Sequence, residues 1–389
     1  MIDFDVLNEN QQDSSSVRIK ILGIGGAGGN TINSMIDSDL EGVSFVVANS
    51  DLQALKLSKA PNKIQLGMKT TKGLGCGANP EIGRKATEED IDRIMEHLDE
   101  ADIVFVVAGM GGGTGSGGAP VVAKALRERG ILSIAVVTKP FSFEGKRRMI
   151  VAQDSLDALK KEIDTLIVVP NEKLLGLVDR SVSMIEAFDM INKVLIQSVK
   201  SISSIISRSG HINVDFADLR TIMKGMGLAM MGTGSASGVN RAIEAAKKAI
   251  SSELLENMDI KSARGVLLNV CAGSNLSLHE INDAANVIYD ESNKDAHIIV
   301  GSVIDESMGD ELVVSVVATG FSPIVAAAVQ VEKVIAVVKP VEEKQLYQAP
   351  QLAKIMEEMP TSEQDNLEVP AYLRNKDFSN QDFVNKTIE

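Results

Sequence analysis

The chain has 389 residues; 44% are hydrophobic, enough for two cores, but only 3% are aromatic and none is Trp. A formal net charge of −14 argues against non-specific contact with DNA or anionic lipid, and so few aromatics argue against a base-stacking nucleic-acid surface. Two cysteines and four scattered histidines give neither a disulfide framework nor a zinc spacing, and no apolar run is long enough to span a bilayer.

Residues 1–16, polar and acidic, read as a disordered leader rather than a signal peptide. Val17 to Leu22 predicts a strand that runs into GIGGAGGN, with a helix from about Thr31 to Asp37. Gly23, Gly25 and Gly28 fit G-x-G-x-x-G, which reads either as a dinucleotide fingerprint or as tight strand–helix packing. Val43 to Ala48 is a second strand that ends at Asn49 and Asp51; Asp51 either binds a ribose hydroxyl or caps the next helix. Lys72 to Pro80, KGLGCGANP, is a further glycine-rich loop, and Pro80 starts a helix.

Ile103 to Ala119, IVFVVAGMGGGTGSGGA, organises what surrounds it. A β-branched strand enters a run of seven glycines and a helix from Ala119 to Arg129 leaves it. Glycines let backbone N–H groups close on one ligand, and the helix end adds a positive dipole, which suits a phosphate chain. Thr114 and Ser116 supply hydroxyls to the same oxygens. A strand (Ile131 to Thr138), the charged turn PFSFEGKRR, a helix (Ile150 to Lys161) and a strand (Leu166 to Val169) continue the alternation. Such alternation predicts a doubly wound, mostly parallel sheet with its ligand loops on one edge.

Ser183 to Ser207 predicts a long helix with apolar residues at helical spacing. Helices near 217–226, 240–256 and 278–290 and strands at 265–272, 298–303 and 312–319 follow, the last two in succession, which predicts a mixed sheet. The expected organisation is α/β. It comprises a leader (1–16), a nucleotide-binding domain (17–182), a long central helix (183–209) and a second α+β domain with a mixed sheet (210–322). The end of the folded core (323–338), a flexible linker (339–366) and a tail (367–389) with an apolar docking peptide around Val369, Pro370, Tyr372, Leu373 and Arg374 complete it.

Several glycine loops on one sheet edge call for a polyphosphate. No G-x-x-x-x-G-K-[ST] is present, so the Walker class of NTPase is excluded. An NAD-linked oxidoreductase would use the first loop and leave the central one without a purpose. A third class is a nucleotide-binding structural protein that does not hydrolyse.

The stretch GGGTGSG resembles the signature of the tubulin superfamily. GIGGAGGN, ANSD, GLGCGANPEIGR, FEGKRR, NVDFAD and the tail VPAYLR resemble, in order, its bacterial cell-division branch, the FtsZ family. The resemblance implies a GTPase that forms filaments, binds GTP and GDP with Mg²⁺, and builds the cytoplasmic mid-cell division ring. It implies that Gly25, Gly26, Ala27, Gly28, Gly29 and Asn30 line the nucleotide, with Asn49, Asp51 and the Gly75-Cys76-Gly77 loop nearby, the loop facing the γ-phosphate. Gly112, Gly113, Thr114, Gly115 and Ser116 would hold phosphates, Glu144 and Arg148 the ribose, and Phe188, Asn192 and Lys193 the guanine. Lys193 stands where the family has Asn or Asp, and Cys76 where it has Ala. Asn213, Asp215 and Asp218 would act on the nucleotide of the next subunit in a head-to-tail polymer. The tail peptide would bind membrane-tethering division proteins such as FtsA, with no direct membrane insertion and no nucleic acid.

Overall fold

The computed structural model describes residues 17–38, 40–176, 182–207, 214–252 and 260–321. The predicted leader, linker and tail peptide lie outside these residues, as does Asn213.

Ten strands form one hydrogen-bonded sheet: β1 (Ile19–Ile24), β2 (Val43–Asn49), β3 (Asn62–Gln65), β4 (Ile103–Gly109), β5 (Leu132–Lys139), β6 (Thr165–Pro170), β7 (Gly227–Ser237), β8 (Gly265–Ala272), β9 (His297–Ile304) and β10 (Glu311–Thr319). Their order is β3-β2-β1-β4-β5-β6-β7-β10-β8-β9. From β3 to β7 every pair is parallel. β10 then runs antiparallel to both β7 and β8, and β8 and β9 are parallel. The second half is therefore mixed, as the two successive terminal strands predict, although β8 lies between β9 and β10. The two halves share the sheet through only three residue pairs, Thr165–Gly227 to Ile167–Ala229.

Chemistry along the strands accounts for this. Ile103 to Ala108 of β4 is buried throughout, the mark of a central parallel strand covered on both faces. One face packs on α1 (Gly25–Asp37) and α9 (Met184–Ser207) through Phe105, Ile32 and Leu195. The other packs on α4 (Pro80–Glu89), α5 (Ile91–Leu98), α6 (Thr114–Glu128) and α7 (Lys146–Lys160) through Val106, Ala86, Ile94, Val122 and Leu156. Each of these buried residues larger than Ala contributes about 1.5–3 kcal/mol. The remaining helices are α2 (Leu52–Leu57), α3 (Met68–Thr71), α8 (Asn171–Leu175), α10 (Phe216–Met223), α11 (Arg241–Ile250) and α12 (Leu278–Glu291).

Two helices begin earlier than their composition predicts. α1 starts at Gly25, not near Thr31, and α6 at Thr114, not Ala119, so much of each glycine segment is the first turn of a helix. Close packing overrides glycine's poor helix propensity. A Cβ on Gly28 would lie 2.5 Å from the Val107 carbonyl oxygen, and one on Gly117 would lie 2.0 Å from that of Pro80. The helix predicted to start at Pro80 and to continue through Glu88 to Leu98 is instead two, α4 and α5, divided at Asp90, whose carboxylate accepts the Gly67 N–H at 2.7 Å.

Candidate functional site

At the C-terminal ends of β1 and β4 the first turns of α1 and α6 lie side by side, and Gly25 and Gly115 are in near contact. Neither helix has a side-chain cap or an acidic residue in its first turn. Side-chain caps occur on α2 (Asp51), α4 (Asn79) and α12 (Ser277), while α3, α5, α7, α8, α10 and α11 also lack one; what sets α1 and α6 apart is that their free ends converge. Two uncapped N-termini aimed at one place leave N–H donors and two positive dipole ends for an anion.

A cavity of about 490 Å³ opens there, a size that holds a nucleotide. Of the glycines along its edge, Gly26 and Gly112 are the ones whose added Cβ would meet nothing within 4 Å. Those two face the cavity. Gly23, Gly28 and Gly117 owe their lack of a side chain to packing. Gly111 has φ +98, which glycine adopts without strain, and its N–H donates to Ser116 Oγ at 2.8 Å. Ser116 therefore tightens the turn from behind.

Of the residues nominated by the sequence, the cavity wall contains Gly26, Ala27, Asn30, Gly112, Gly113, Thr114, Gly115, Glu144, Arg148, Phe188 and Asn192. The others lie around it. Gly25, Gly28 and Gly29 are buried in α1, and Asn49 Oδ1 accepts the Asp51 N–H at 3.1 Å. Asp51 accepts from Gln53 N at 2.8 Å and Ala54 N at 3.3 Å, so of its two readings the structure displays the cap. The Gly75 N–H donates to the Ser50 carbonyl, Cys76 is buried against Gly113 with its Sγ 3.1 Å from Ser50 Oγ, and Gly77 is exposed. Ser50 Oγ is in turn 2.7 Å from Thr114 Oγ1. Lys193 is exposed and absent from the wall, whereas Asn192, one residue earlier on α9, is part of it.

The wall also holds residues the sequence reading missed, among them Thr31, Thr138, Pro140 and Asn171. The Thr31 hydroxyl lies 3.0 Å from both the Ala27 carbonyl and Asn192 Oδ1, which anchors α9 to α1. Asn171 is 5% exposed and its Oδ1 has no hydrogen-bond partner. A buried acceptor without a donor costs about 1–3 kcal/mol, so a donor from a ligand is what the site lacks. Its sequence signal was positional: Asn171 follows Pro170 at the C-terminal end of a parallel strand, where ligands of such sheets bind. Glu144 pairs with Arg148 and accepts the Phe141 N–H at 2.9 Å.

Asp215 and Asp218 lie elsewhere. Asp215 occupies the N-cap position of α10, yet its side chain makes no cap hydrogen bond; both carboxylates are exposed and neither lines the cavity. α10 is fastened to the N-terminal ends of β5 and β6. Arg220 donates to the Gly130 carbonyl at 3.3 Å, Thr165 Oγ1 donates to that of Met223, and Asp164 accepts the Gly225 N–H at 3.2 Å. The cavity is at the opposite ends of these strands. The eight residues of β5 separate the two edges by roughly 23 Å.

Two family models match the chain: the GTPase domain of the Tubulin/FtsZ family over residues 18–179 and the C-terminal domain of the FtsZ family over 227–322. An empty FtsZ dimer from M. jannaschii is 41% identical over 80% of this chain and 90% of that one, with a TM-score of 0.76. A mutant of the same FtsZ gives 41% identity, 80% and 93% coverage and a TM-score of 0.77. CetZ1 from Haloferax volcanii, a GDP-bound monomer, is 25% identical over 79% and 96% of the two chains, at a TM-score of 0.69. The oxidoreductase alternative loses its basis, because Gly23 and Gly28 of its fingerprint serve packing and the domain matched is a GTPase domain. The chain belongs to the Tubulin/FtsZ family of filament-forming GTPases, in its FtsZ branch, and is a GTPase.

Proposed function

We propose that this GTPase assembles head to tail, each subunit completing the hydrolytic site of its neighbour. The observation that carries the reading is the separation of its parts. An anion-ready cavity lies at one edge of the parallel sheet, and two uncommitted carboxylates are fastened to the other. Within one molecule they do not meet. Stacked copies would bring one subunit's Asp215 and Asp218, with Asn213, against the γ-phosphate of the next. That contact is heterologous and does not close, so it propagates into a filament. The M. jannaschii FtsZ of known structure is a dimer, which supports self-association of this chain.

In this reading the N–H groups of Gly26 and of the Gly112–Gly115 turn, with the Thr114 hydroxyl, hold the phosphates, and Arg148, steadied by Glu144, faces the ribose. Phe188 stacks on guanine. Asn30, Asn171 and Asn192 read its edge, and the orphan Asn171 Oδ1 accepts a base N–H. Gly25, Gly28, Gly29, Asn49, Asp51, Gly75, Cys76, Gly77 and Ser116 support these loops from behind, and Lys193 sits beside Asn192 without facing the base. Among the described residues no group of three His, Cys, Asp or Glu side chains could hold a metal, and the carboxylate in the wall, Glu144, is already engaged. That donor set fits a Mg²⁺ carried in on the nucleotide's phosphates, where it would neutralise charge during transfer. The aspartates orient the water that attacks the γ-phosphorus as the bond to the β-phosphate oxygen breaks, giving GDP and phosphate. Hydrolysis then weakens the contact that enabled it.

At the level of the cell, the reading places the polymer in the cytoplasmic division ring at mid-cell. The Val369–Arg374 peptide would join it to membrane-tethering partners such as FtsA; no described helix is long and apolar enough to cross a membrane. Light scattering of the purified chain on adding GTP and Mg²⁺, with phosphate release followed in parallel, tests the assembly step. Scattering should rise before phosphate appears; steady phosphate release with no scattering change contradicts it.

A further inference from the structure

The turn after β5 touches three separate parts of the cavity wall. Phe141, 2% exposed, meets Phe188 edge to face, with 5.7 Å between ring centroids and 83° between planes. Phe143, 68% exposed, stacks on Phe141 at 4.9 Å and 17°. The Ser142 N–H donates to Glu172 Oε2 at 2.8 Å, next to Asn171, and Glu144 joins the Phe141 N–H to Arg148. One short turn therefore fixes an aromatic ring, the neighbour of an amide and a guanidinium of the same wall.

Three of the chain's ten phenylalanines gather here. Phe143 is too exposed to be explained by core burial. Phe188 lies on the first turns of α9, where Met184 and Ile185 are also exposed, so its own helix does little to hold the ring. A ring left free to reorient must be ordered when a base stacks on it, and that ordering weakens binding. An edge-to-face neighbour fixes the ring plane beforehand. We infer that Phe141 is a positioning residue that sets the plane of Phe188 for the purine, with Phe143 holding Phe141 from its own face. The inference rests on the reading of Phe188 as the base platform.

The test compares GDP with inorganic tripolyphosphate, each with Mg²⁺, by calorimetry on the full chain. F188A establishes the platform: GDP affinity falls while tripolyphosphate affinity holds. F141L, which keeps an apolar side chain in the buried site, then weakens GDP about fivefold and leaves tripolyphosphate unchanged. F143L, at an exposed position that cannot unfold the core, weakens GDP about twofold in the same selective way. If F141L fails to fold, F143L alone decides, and unchanged GDP affinity in it overturns the inference. Equal losses for both ligands in F141L also overturn it, because the turn would then be acting on the fold. If F188A leaves GDP affinity unchanged, the base platform itself is misassigned.

Discussion

Glycines of the same two segments do different work, and paired alanine substitutions separate the two kinds. At Gly28 a Cβ would meet the Val107 carbonyl oxygen at 2.5 Å and Gly23 backbone at 3.0 Å, so α1 must move away from β1 and β4. Overpacking against backbone atoms, which cannot rotate aside, costs about 2–3 kcal/mol, and better helix propensity returns up to about 1 kcal/mol. Gly28→Ala should therefore lose about 1–2 kcal/mol and melt about 2–3 °C lower in the absence of nucleotide. At Gly112 an added Cβ meets nothing within 4 Å and the backbone is not left-handed, so Gly112→Ala should melt like the parent. Its methyl group projects into the cavity, where the proposed reading puts the phosphates. Each charge-assisted N–H contact displaced is worth about 1.5–3 kcal/mol, so GDP should bind about ten- to a hundredfold more weakly. Thermal melting without nucleotide and GDP calorimetry measure both halves. A Gly112→Ala protein that melts lower yet binds GDP normally refutes the sorting, as does a Gly28→Ala protein that melts unchanged.

Asp215→Asn and Asp218→Asn should each cut phosphate release about a hundredfold or more while GDP affinity, read by calorimetry, stays at the parent value. Asn171→Leu removes the unpartnered buried acceptor, so the melting temperature without nucleotide should hold or rise while GDP affinity falls about tenfold. Arg241, 6% exposed, grips Glu280 at 2.6 Å and donates to the Asp310 carbonyl at 2.9 Å and Asn275 Oδ1 at 3.0 Å. Arg241→Met removes the cationic partner of Glu280, whose carboxylate keeps only the Ser277 N–H and hydroxyl, and should cost about 1.5–3 kcal/mol in denaturant titration. The hydrogen bond from Arg241 holds the Glu280 carboxyl down at about 2. A carboxyl depressed in the folded state stabilises above its ordinary range, so this contribution is whole above about pH 4.5 and lost as pH falls toward 2. Melting curves across that interval should show the loss in the parent and a flatter profile in Arg241→Met.

Much of the fold was legible because its strands are β-branched runs and the alternation with helices is regular. β3 escaped notice: it has four residues, and Ile64 alone is fully buried, so it carries no periodic signal. Helix starts were misplaced because glycine reads as loop by propensity, whereas here the helix packs so close to Val107 that a Cβ at Gly28 would clash, and glycine is what the helix admits there. The glycine-rich part of the cavity wall was visible as composition. The rest was less so, since Asn171, Thr31 and Thr138 are ordinary polar residues that only the folded sheet brings together. Asp51 shows how one residue type supports two readings until hydrogen bonds are seen. The distance between Asp215 and the cavity is a property of sheet topology, which no local pattern carries.

Complementation between two inactive variants tests the shared site most directly. Asp218→Ala keeps an intact cavity but lacks an acid; Gly112→Val keeps the acids but has its cavity blocked. Mixed at high concentration with GTP and Mg²⁺, they should release phosphate well above the sum of the two alone, because the cavity of the first meets Asp215 and Asp218 of the second. A mixture as inactive as its separate components, with both variants folded and the first binding GTP, contradicts a hydrolytic site built between subunits.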